Sequence, residues 1–103
     1  MSKFDRDKNL RSLRRSFRTY NGTRRRLIAE IVSKRRDCTT RNQVRKTAAQ
    51  LLDQAVSSRK LRFGVMEILA IIQLIMAVWA FIKNMGWLES ATPDAVEEML
   101  DDA

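Results

Sequence analysis

The sequence predicts an all-α chain: a basic helical N-terminal region, one transmembrane helix and a short acidic C-terminal helix. Three observations predict it. Residues 63–82 form a run of twenty mostly apolar residues, apolar residues recur at spacings of three and four before it, and Thr92-Pro93-Asp94 is a helix-start signal after it. Charge divides the 103 residues at the same places. Residues 1–62 carry 19 of the 20 Lys and Arg against five acids, 63–82 carry only Glu67, and 83–103 carry Lys83 against six acids. We therefore divide the chain into an Arg-rich helical cytoplasmic region (1–62), a transmembrane helix (63–82) and an acidic tail with a short helix (83–103).

The first helix is expected over about 5–20, where Leu10, Leu13, Phe17 and Tyr20 share one face. Asn21-Gly22 reads as its stop. Thr23 is expected to cap a second helix, in which Leu27, Ile28, Ile31 and Val32 form the apolar face between Arg24-Arg25-Arg26 and Lys34-Arg35-Arg36. Asp37-Cys38-Thr39 breaks the pattern, and the lone Cys38 is expected to be a small, half-buried residue between helices. Thr40 with Gln43 reads as a capping box for a third helix with Val44, Ala48, Leu51, Leu52, Ala55 and Val56 on one side. No proline lies between Arg41 and Lys83, so this helix has no proline to stop it before the apolar run; Ser57-Ser58 and Gly64 are its weak points.

Twenty helical residues rise about 30 Å, the thickness of a bilayer hydrocarbon core. Eleven of residues 63–82 are Leu, Ile, Val or Phe. At roughly −0.3 to −0.6 kcal/mol each they contribute about −3 to −7 kcal/mol toward insertion, against the cost of Glu67 and Gln73. Arg59, Lys60 and Arg62 before the run, and Trp79, Lys83 and Trp87 at its other end, are the expected membrane-interface anchors. The excess of cations before the run places the N-terminus inside and the C-terminus outside. Ala70, Gln73, Ala77, Ala80 and Asn84 recur at 3, 4, 3 and 4, a small-residue stripe expected to contact another helix, with the other sides facing lipid.

Function follows from what is present and what is missing. With no His and one Cys, His-based catalysis, thiolate zinc and an internal disulfide are all excluded. No Gly-rich phosphate loop and no paired acid–base carboxylates appear, so no enzyme and no cofactor is expected. Arg11, Arg14, Arg15, Arg18, Arg24, Arg25, Arg26, Lys34, Arg35 and Arg36 are the expected contacts to phosphate or another anionic partner, since guanidinium forks bind phosphate in pairs. That partner is anionic lipid, nucleic acid or an acidic protein surface, and beside a membrane the lipid reading comes first. The expected function is a small structural or assembly subunit of a larger membrane complex, as an oligomer or one of its components. Two other readings use the same features: a membrane anchor that tethers nucleic acid, as in a membrane-containing virion, and a holin-type pore-former.

Overall fold

A computed structural model describes residues 3–58 and 62–101. Five α-helices follow in order: α1 (Lys3–Arg18), α2 (Gly22–Lys34), α3 (Arg41–Ser57), α4 (Val65–Asn84) and α5 (Pro93–Asp101), with one 3₁₀ turn at Leu88–Ser90 before the last. Local chemistry accounts for most boundaries. Thr40 accepts from the Gln43 amide while the Gln43 side chain accepts from the Thr40 amide, so the expected capping box starts α3. The Thr92 hydroxyl accepts from the Ala95 amide, 3.2 Å away, and starts α5 with Pro93 in its first position. The second helix differs from expectation. Its cap is Asn21, whose extended backbone lets the side-chain oxygen accept from the Arg24 amide at 3.0 Å, so Asn21 starts α2 rather than stopping α1.

The third and fourth helices are separate. α3 closes at Ser57, with the Ser58 hydroxyl donating to the Ala55 carbonyl, and α4 opens after an extended Gly64. The far end of α4 closes in a Schellman turn. Gly86 adopts a φ of 74°, the Trp87 amide donates to the Ile82 carbonyl and the Gly86 amide to that of Lys83. A side chain is strained at that φ, which glycine adopts at no cost.

Packing places α4 at the centre. Its buried residues are Ile71, Ile72, Leu74, Ile75, Met76, Val78, Trp79, Phe81 and Ile82. Leu13 and Phe17 of α1, Ile28 and Val32 of α2, Val44, Ala48 and Leu52 of α3, and Val96 and Leu100 of α5 complete one core. The reason lies in the patterns: α1, α2, α3 and α5 each carry one apolar stripe that needs cover, and α4 alone is apolar on most of its sides. From Ile71 onward, the faces of α4 expected to meet lipid are thus covered in this bundle by the chain's own helices. α2 runs alongside α4 in the same direction, since Arg24 meets Glu67 at one end and the Arg35 carbonyl meets Trp79 at the other. The Cα radius of gyration is 13.0 Å, close to the ~13 Å expected of a compact chain this long.

Candidate anion-binding surface

The cations expected to meet an anionic partner fall into three groups. The first is the opening turns of α2. Arg25 meets Asp101 at 3.3 Å, and Arg26 meets Asp94 at 2.5 Å, Glu97 at 3.6 Å and its own-helix neighbour Glu30 at 3.4 Å. Arg24 meets Glu67 of α4 at 3.1 Å, donates to the Arg62 carbonyl at 2.9 Å and lies 4.8 Å from the centre of the Phe63 ring. The Arg26 guanidinium pKa is held above its ordinary value, chiefly by the hydrogen bond to Asp94. Burial, and then Glu67, raises the pKa of the Tyr20 phenol. These ion pairs are largely solvent-exposed and individually weak, so they orient α5 while Val96 and Leu100, buried beneath it, hold it.

The second group lies on α1. Phe4, Lys8, Arg11, Arg15 and Arg18 follow one another at 4, 3, 4 and 3, which sets them along the outer face of the helix, and all are exposed. Arg14 lies on the inner side and donates to the Met99 carbonyl of α5 at 2.9 Å. The third group closes α2. Lys34 and Arg36 are exposed, while Arg35 is half-buried and its carbonyl accepts from the Trp79 indole at 3.0 Å. Cys38 beside them is half-buried and free, as expected.

The small-residue stripe of α4 is the face that the other helices leave open. Ala70, Gln73 and Asn84 are exposed, and Ala77 and Ala80 are half-buried. Asn9, Ser12 and Leu13 of α1 and Arg41 of α3 border its C-terminal half. Of the expected interface anchors, Arg59 and Lys60 lie outside the described residues. Arg62 and Trp87 are exposed. Lys83 is also exposed; its ammonium donates to the Thr39 carbonyl at 2.9 Å and stands 4.9 Å from the centre of the Trp79 ring. Trp79 is 2% exposed, inside the bundle.

Two features escaped the sequence reading. The acids of the tail engage the α2 arginines, a pairing signalled only by the opposite net charges of the two regions. Val65, Met66 and Leu69 stand exposed at the start of α4, in a run whose uniform apolarity gives no sign of which end is covered. Among the described residues, no group of three or more His, Cys, Asp or Glu is placed to hold a metal ion. Compared with known protein families, with characterised proteins and with solved structures, the chain matches none of them.

Proposed function

We propose that the chain is a small single-pass membrane protein, N-terminus inside, that serves as a structural or assembly subunit of a larger membrane complex. One observation carries the reading. α4 is 20 residues long with a mean hydropathy of 2.4 over its most apolar window, and its two charges, Glu67 and Lys83, lie near its ends. Such a helix is long enough to cross a bilayer. The exposed cations of α1 and those closing α2 supply the attraction to an anionic leaflet, about 1 kcal/mol for each residue near the surface.

The bundle and the span are then two packings of the same helix. In the bundle, α5 is bonded to α2; with α4 across a bilayer, the tail and the basic region lie on opposite sides. Insertion therefore breaks Arg25–Asp101, Arg26–Asp94 and Arg14–Met99, and lipid replaces α1, α2 and α3 against the apolar faces of α4. Reporters fused before Met1 and after Ala103 in a membrane-targeted cell test this topology: the first should read inside and the second outside. Both ends on one side would overturn the single span. A nucleic-acid tether is the second reading, favoured by the cationic outer face of α1; it requires binding that falls steeply with salt.

A further inference from the structure

The opening turns of α4 stand uncovered by the other helices. Val65 is 75% exposed, Met66 77% and Leu69 53%, three of the five large apolar side chains that stand most open in the described chain. They occupy one end of the molecule, beside Phe63, Arg24 and the exposed Arg62. Glu67, the acid among them, is matched by Arg24 at 3.1 Å, so the tip carries no uncompensated negative charge. We propose that this tip is a docking surface for an anionic lipid bilayer: Val65, Met66 and Leu69 enter the headgroup–acyl boundary while the exposed Arg62 meets lipid phosphate.

Three features select lipid as the occupant. The apolar side chains stand open on the helix surface and line none of the main cavities among the described residues, which suits insertion into a deformable surface. With Glu67 matched by Arg24, the exposed Arg62 leaves the tip net positive, which complements an anionic leaflet, whereas a second copy of the chain at the same place would set Arg62 against its own counterpart. Val, Met and Leu offer no ring on which a nucleic-acid base could stack, and the Phe63 ring beside them is half-buried and faced by the Arg24 guanidinium. The inference takes its partner from the membrane reading above, but it concerns docking of the bundle and is separable from insertion of α4.

The test uses the full chain with Cys38→Ser and a single cysteine at Met66, Gln73 or Gln50, each carrying an environment-sensitive fluorophore. Vesicles of phosphatidylcholine with and without phosphatidylglycerol are the probe. The label at 66 should shift to the blue and brighten several-fold with the anionic vesicles, before any change at 73 and with none at 50. Met66→Gln with Leu69→Gln should weaken vesicle binding by about tenfold while helix content is kept, because both side chains are exposed. Vesicle-bound protein with an aqueous label at 66, or an equal shift at 50, would overturn the docking tip. A shift at 66 that never reaches 73 would support the tip and overturn the span. Shifts at 66 and 73 that rise together, with no earlier phase at 66, would support the span and overturn the tip. Binding to duplex or single-stranded nucleic acid with no response to vesicles, or binding to neither, would overturn the tip.

Discussion

The arginines that open α2 and those along the outer face of α1 are alike in type and density, yet their surroundings differ. Arg24, Arg25 and Arg26 each meet a carboxylate, on α4 or α5, whereas Arg11 and Arg15 are exposed and meet none among the described residues. The difference is one of geometry. α5 is two turns long and is fixed by Val96 and Leu100, which sets Asp94, Glu97 and Asp101 beside Arg25 and Arg26 of α2. A count of positive charge therefore overstates what the basic region offers to another molecule: the tail already answers part of it, and the open capacity lies at Arg11 and Arg15 of α1 and at the end of α2.

That contrast can be broken most severely from underneath. Leu100→Ala removes the buried anchor of α5 and should cost about 2–5 kcal/mol in urea denaturation. With α5 loosened, Arg25 loses Asp101 and Arg26 loses Asp94 and Glu97 while keeping Glu30, and binding to anionic vesicles should rise even as stability falls. A variant that is less stable but binds no better would show that the α2 arginines do not contribute when uncovered. Arg11→Ala with Arg15→Ala sharpens the other side of the comparison. Stability should stay within about 0.5 kcal/mol, while affinity for anionic vesicles should fall about thirtyfold, at about 1 kcal/mol for each lost cation. Retained affinity in sedimentation would move the anionic contact elsewhere. The mildest change is Asp94→Asn with Asp101→Asn, which weakens the tail's hold without removing its apolar anchor. Vesicle affinity should rise roughly two- to fivefold at low salt, and the gain should vanish as salt screens the exposed pairs.

How much of this was legible in the sequence depends on the range of the interaction. Thr40 with Gln43, and Thr92 with Pro93, act within one turn, and both helix starts fall where their spacing placed them. Asn21 and Thr23 are both good cap residues two positions apart, and the extended backbone at Asn21 decides between them. The stripe of Ala70, Gln73, Ala77, Ala80 and Asn84 was readable as a face because helical period fixes direction; period does not say what lies opposite. The contacts of Arg25 with Asp101 and of Arg26 with Asp94 span 76 and 68 residues. They depend on the turn at Gly86 sending the tail back over the bundle, which no local pattern of charges encodes.

The closed ends of α4 have a consequence for thickness. An extended Gly64 precedes its first residue, and the Schellman turn at Gly86 follows its last. The C-terminal end cannot add a turn without undoing its own hydrogen bonds, and the N-terminal end can lengthen only by refolding the extended Gly64. The helix is thus a gauge of one length, about 30 Å. In any bilayer it crosses, a thicker hydrocarbon core must be met by local thinning and a thinner one by tilt, each at a fraction of a kcal/mol per ångström. Membranes that differ by a few ångströms would hold the same chain with different ease, and a single left-handed glycine sets that preference.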